Sequence, residues 1–130
     1  MKILVGYKGV NVGKDLMKIA VKHAKAFNSE ILIATSLSGG EKTEGQEIAE
    51  AKKNLEQAKE YFNDFGLKST THLLVRGLEP GEDIVKFAKE QDVSEIIIGI
   101  RSRSKMDKLI FGSTAQFVSL EAHCPVLTVK

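Results

Sequence analysis

Several residue types are scarce in this chain, and each scarcity excludes something. Of 130 residues one is cysteine, two are proline, three are histidine and none is tryptophan. A single cysteine, Cys124, cannot build a disulfide framework and lacks the thiol partners of a cysteine-based metal site. That usage suits a reducing cytoplasm, which is the expected location. His23, His72 and His123 are far apart, and no close metal-ligand spacing links them. Neither sign of charge dominates: 19 Lys and Arg face 17 Asp and Glu, for a net charge of +2. That balance gives no basis for a nucleic-acid surface. No apolar run approaches the ~20 residues of a membrane helix. The opening MKILVGYKGV meets charge too soon, and lacks the cleavage site, for a secretory signal.

What is present is ordinary for a globular protein: 42% hydrophobic and 28% charged residues. The length predicts one domain over residues 1–130, able to bury roughly two-thirds of the surface of its unfolded chain. KILVGY (2–7), EILIATS (30–36), STTHLLV (69–75), SEIIIG (94–99) and PVLTV (125–129) read as strands. Residues 15–27 place Leu16, Ile19, Ala20, His23, Ala24 and Phe27 on one helical face. Residues 46–65 do the same with Ile48, Ala51, Leu55, Ala58, Phe62 and Phe65, and Gly66 ends that helix. Pro80 opens a third helix, with Glu82 and Asp83 complementing its dipole. Residues 113–122 form a fourth. Strands that are apolar on both faces and alternate with amphipathic helices mean a parallel five-stranded sheet covered on both sides. Ligands then bind beyond the carboxyl ends of the strands, on the rim after Tyr7, Thr35, Val75 and Gly99.

The most informative stretch is GIRSRSKMDKLIFGSTA, residues 99–115. It is not a Walker A loop, because no Gly-Lys-Ser/Thr occurs, and not the dinucleotide fingerprint, which belongs after the first strand. Gly99 ends a strand and allows close backbone approach. Gly112-Ser113-Thr114 opens a helix whose free N–H groups and dipole favour a phosphate. Arg101, Ser102, Arg103, Ser104 and Lys105 add charge and hydroxyls. On these residues two readings stand: a phosphate cradle, or a surface loop followed by a Ser113–Gln116 capping box. In the second, Gly112 serves a tight turn, for which a positive φ is expected. Lys8 and Arg76 stand where a phosphoryl-receiver domain needs carboxylates. Asp107 is the only carboxylate in the stretch, so no general base is apparent and an enzyme is not expected.

IIIGIRSRSKMDKLIFGSTAQFVSLEAHCPVLTVK resembles the carboxy-terminal signature of the universal stress proteins. Nucleotide-binding members carry Gly, two residues, Gly, nine residues, then Gly-Ser/Thr. Here the frame is Gly99, two residues, Ser102, nine residues (103–111), Gly112-Ser113, with serine at the second glycine. MKILVGYKG and RGLEPGEDIVKFA resemble the family's start and its third-strand turn. The resemblance implies a doubly wound three-layer α/β sandwich of the adenine nucleotide alpha-hydrolase-like type, with strand order 3-2-1-4-5. It implies ATP or a related adenine nucleotide as ligand, with Mg an allowable companion of the phosphates. Gly99, Ser102, Gly112, Ser113 and Thr114 would cradle ribose and phosphates, with Arg101 adding charge. Thr35 or Ser36 would meet the base. Lys8 stands where the family has an aspartate for the adenosine moiety, and an ammonium accepts no hydrogen bond. A homodimer through Pro125–Val129 is also implied. The expected role is a nucleotide-dependent stress-response module, with slow hydrolysis left open. The alternative is a nucleotide-independent homodimeric interaction module in which residues 99–115 are purely structural.

Overall fold

In a computed structural model of the protein, residues 1–7, 10–39, 45–103 and 109–130 are described. In chain order the elements are β1 (Lys2–Gly6), α1 (Val10–Phe27), β2 (Glu30–Leu37), α2 (Gly45–Asp64), β3 (Ser69–Val75), α3 (Pro80–Glu90), β4 (Glu95–Gly99), β5 (Arg101–Arg103), β6 (Leu109–Phe111), α4 (Ser113–Glu121) and β7 (Val126–Val129). The main sheet runs β3-β2-β1-β4-β7 with every pair parallel. Counting β7 as its fifth strand, this is the expected order 3-2-1-4-5. β1 lies at the centre, with Val5 opposite Ile33 on one side and Ile97 on the other.

Successive residues of a strand point to opposite faces, so the continuous apolar runs feed two cores. Ile3, Val5, Ile31, Ile33 and Ile97 pack under α1 and α2, against Leu16, Ala20, Leu55 and Phe62. Leu4, Leu32, Ala34, Ile96 and Ile98 pack under α3 and α4, against Ile84, Phe87, Ala88 and Val118. Two helices on each face give the three layers. α2 ends in a Schellman turn: Gly66 N–H donates to the Asn63 carbonyl and Leu67 N–H to the Phe62 carbonyl. Gly66 takes φ +72° there, which a side chain would strain. α3 and α4 approach closely at Gly81, where an added Cβ would stand 3.0 Å from Phe117 Cβ. This contact sets the middle of α4 against the start of α3.

Several local expectations change. α1 begins at Val10 rather than at Asp15, because Gly13 does not interrupt it. Phe27 and Phe65, at the ends of their stripes, are exposed. Lys25 Nζ sits 5.2 Å from the Phe65 ring centre. Residues 99–115 contain a small antiparallel hairpin, β5 with β6, where a loop was expected. His23 is held as expected of a satisfied, partly buried histidine, with Nδ1 2.9 Å from Glu95 Oε1. The Cys124 sulfur is half-buried against the second core, and burial, followed by the nearby Glu95 charge, pushes its pKa up. Among the described residues no helix is long and apolar enough to cross a membrane.

Candidate functional site

All five parallel strands end on one rim. From β1 the chain moves toward β2, and from β4 toward β7, so the crossovers part between β1 and β4. A cleft at such a parting is the switch-point site of doubly wound sheets. Here it is a cavity of about 200 Å³. The floor is the strand ends, Gly6 with Tyr7, Thr35 with Ser36, and Gly99. Leu16 of α1 and Ile84 of α3 form its apolar walls. Gly112, Ser113, Thr114 and Ala115 close the remaining side.

Thus Thr35, Ser36, Gly99, Gly112, Ser113 and Thr114, selected from sequence, border one cavity although they come from three separate parts of the chain. Arg101 and Ser102 lie in β5, paired by backbone with Phe111 and Ile110. Lys8 lies outside the described residues, as do Ser104, Lys105 and Asp107.

Backbone bonds hold the closing side. Ile100 N–H donates to the Val129 carbonyl at 3.0 Å, and Gly112 N–H to the Ile100 carbonyl at 3.1 Å. These bonds bracket the β5–β6 pair, and the chain re-enters the rim at the start of α4. Gly112 is the residue before that helix, with φ −63° and ψ 153°. The expected positive φ is therefore wrong, and the backbone angles here are open to any L-residue. The expected capping box is absent too. Ser113 lies inside the first turn, no side chain among the described residues caps the helix, and Gln116 Nε2 donates instead to the Phe111 carbonyl at 2.7 Å. Ser113, Thr114 and Ala115 of the first turn line the cavity, no side-chain acceptor among the described residues meets their N–H groups, and the helix dipole adds partial positive charge there.

On the opposite side the hydroxyls of β2 are engaged. Thr35 Oγ1 donates to the Tyr7 carbonyl at 2.6 Å, and Ser36 Oγ donates to Asp83 Oδ2 at 2.9 Å. Asp83 is 0% exposed. Its other oxygen accepts from Arg76 Nε at 2.6 Å, and Arg76 reaches Glu90 Oε1 at 2.6 Å. Hydrogen bonding to Glu90, above all, with Asp83 adding to it against the opposing effect of burial, holds the guanidinium pKa above its usual value. Burial raises that of the Tyr7 phenol. The acidic residue read as a helix-dipole partner is therefore a buried anion that joins β2, the β3–α3 turn and α3. Nothing local marks it. The only sequence sign is an arginine seven residues before it, across a proline turn.

These features define a class: doubly wound α/β proteins with a ligand cleft at the switch point and an uncapped helix start on its wall. The chain matches the universal stress protein family over residues 1–130 and belongs to that family. A universal stress protein of Methanocaldococcus jannaschii is 31% identical over 140 residues, covering 99% of this chain and 81% of that one. A solved universal stress protein from Archaeoglobus fulgidus superposes with a TM-score of 0.92 at 40% identity, covering 100% of this chain and 98% of the other. A second A. fulgidus structure, in complex with dAMP, gives a TM-score of 0.87 at 36% identity, with the same coverage of 100% and 98%.

Removing the cation from buried Asp83 is costly, since an uncompensated internal charge remains. Arg76 is itself partly exposed, which moderates the loss. Arg76→Met is expected to lower stability by about 2–3 kcal/mol, read as a lower urea midpoint at unchanged slope. A loss under about 0.5 kcal/mol would contradict a paired, buried Asp83.

Proposed function

We propose that this protein binds an adenine nucleotide in the switch-point cleft. The observation that carries the reading is the joining of two unlike walls in one cavity: the hydroxyl-bearing end of β2 and the uncapped first turn of α4. The first suits a base or sugar, the second a phosphate. The apolar surface between them, from Leu16, Ile84 and Ile98, suits a flat ring. The enclosed volume of about 200 Å³ is below the ~300–1,000 Å³ typical of whole-ligand pockets. It suits a nucleoside with its phosphates at the mouth. The dAMP complex of the 36%-identical A. fulgidus protein supports the same ligand class. ATP is the proposed form, with Mg an allowable companion of its phosphates. By the family resemblance, Arg101 and Ser102 would assist at the phosphate end. The role proposed is regulatory: a nucleotide-dependent stress-response module in the cytoplasm, without efficient turnover.

The test is calorimetric titration with AMP and ATP. Thr114→Asp places a negative charge on the phosphate wall. A like charge roughly 4 Å away costs about 4 kcal/mol near a protein surface, so ATP binding should weaken at least tenfold. The fold should be unharmed, because an acidic residue suits a helix start. Binding that ignores Thr114→Asp would remove the phosphates from α4, and absence of heat with either nucleotide would end the nucleotide reading.

A second reading concerns assembly. Among the described residues β7 pairs only with β4, so one edge of the sheet is open. Such edges invite pairing with another chain, and we propose a homodimer through Pro125–Val129. Light scattering at micromolar concentration should give twice the 14.3 kDa chain mass. A species at the single-chain mass would refute it. A dimer that binds no nucleotide would favour the interaction-module alternative.

A further inference from the structure

Two strands bound the main sheet, β7 on one side and β3 on the other. Among the described residues β3 pairs only with β2. Ile31, opposite Ser69 in the register, donates its N–H to the Lys68 carbonyl at 2.9 Å. Both backbone groups of a strand residue point to one side, and successive residues alternate sides. The even-numbered residues of β3 therefore bond β2, and the N–H and C=O groups of Ser69, Thr71, Leu73 and Val75 point outward. Among the described residues, no hydrogen bond takes up those of Thr71 and Leu73.

The strand also lacks what usually blocks a free edge. STTHLLV holds no lysine, arginine, carboxylate, proline or glycine over seven residues. Its one imidazole, His72, is held below the usual pKa by burial, which keeps the strand uncharged at neutral pH. That ring is drawn back from the edge, with Nε2 2.8 Å from Thr70 Oγ1 and its plane against Phe87. The charges stand at the two ends. Arg76 is bound by Asp83 and Glu90. Lys68 is 79% exposed, with Glu30 3.6 Å away.

We propose that the β3 edge is a docking site for an extended segment of a partner protein, which joins the sheet as a sixth strand and brings an acidic residue to Lys68. An outward row of alternating N–H and C=O groups, ~23 Å long over seven residues, is matched by an extended backbone. A second copy of this chain is a worse match. Antiparallel pairing of two β3 strands that uses residues 69, 71, 73 and 75 together sets His72 opposite itself and Lys68 opposite Arg76, cation against cation. An acidic residue at that place removes the conflict. The site is at the far side of the sheet from β7, so it stays open in the homodimer proposed above. It does not rest on the nucleotide reading.

Hydrogen exchange read by amide NMR tests the edge itself. Thr70, His72 and Leu74 should be protected, and Thr71 and Leu73 should exchange at least roughly tenfold faster. Equal protection of the two sets overturns the proposal. Peptides are then selected on the wild-type protein from a displayed library of random dodecapeptides, and the synthesised binders are titrated by NMR and calorimetry. Binders are expected whose largest shifts fall on Thr71, Leu73 and Val75. Thr71→Pro removes an outward N–H that β2 does not use and should weaken them roughly tenfold. Lys68→Glu should weaken them several-fold. Should Thr71→Pro fail to fold, Thr71→Lys replaces it, since it keeps the β2 ladder and puts a charge on the edge. A library that yields no binder, binders that all map elsewhere, or binders that ignore the Thr71 and Lys68 substitutions overturn the proposal. So does a wild-type species larger than a dimer that the Thr71 variant returns to a dimer, because the edge then belongs to a second copy.

Discussion

β1 is bonded on one side to β2 and on the other to β4, in register, with Leu4 and Val5 sealed from solvent on opposite faces. Everything at the candidate site depends on that placement. A strand buried on both faces needs helices above and below it, and parallel neighbours need crossovers that bring the chain back to the same end. With β2 and β3 on one side and β4 and β7 on the other, the connections must diverge at β1 and β4. The gap between them opens where all five strands end. Glycines at the two central strand ends, Gly6 and Gly99, border that gap.

The two walls of the gap are held differently. The α4 wall is anchored by backbone bonds from Ile100 and Gly112 and by close contact of Phe117 with Gly81. Its polar groups include main-chain N–H that no side chain among the described residues caps. The β2 wall is anchored by side chains. Asp83 links Ser36 to Arg76, and Arg76 lies over the Phe87 ring at 5.8 Å and bonds Glu90. A buried carboxylate with a single cation is a rigid device, because any departure leaves it unpaired in a low-dielectric setting. One wall is therefore held by main-chain bonds and the other by side-chain bonds.

Much of the fold was legible because its determinants are local and periodic. Runs such as EIIIG can be nothing but strand interior beneath two layers, and the Ala51–Leu55–Ala58–Phe62 stripe has only one helical reading. The strand order came with the family resemblance rather than from periodicity. The rim residues were legible to the extent that strand ends and helix starts are legible, which covers Thr35, Ser36, Gly99 and Gly112–Thr114. The β5–β6 hairpin was not, since its strands are short and its register depends on the closing bond from Gly112 to Ile100. Asp83 was not either. Acidic residues commonly start helices in solvent, and its partner Ser36 is distant in sequence and meets it only in the fold. The Ser113–Gln116 pattern misled for a similar reason: Phe111, positioned by the hairpin, offers Gln116 a better acceptor than a capping box does.

The claim at the centre of this account is that ligand enters between the β2 end and the start of α4. Amide NMR of the uniformly ¹⁵N-labelled protein, titrated with AMP, tests it directly. The account predicts that the largest shifts fall on Thr35, Ser36, Gly99 and Gly112–Ala115, while Asn28 and Asp92 at the opposite pole of the sheet stay still. Shifts concentrated at that opposite pole, or spread evenly without a maximum on the rim, would contradict it.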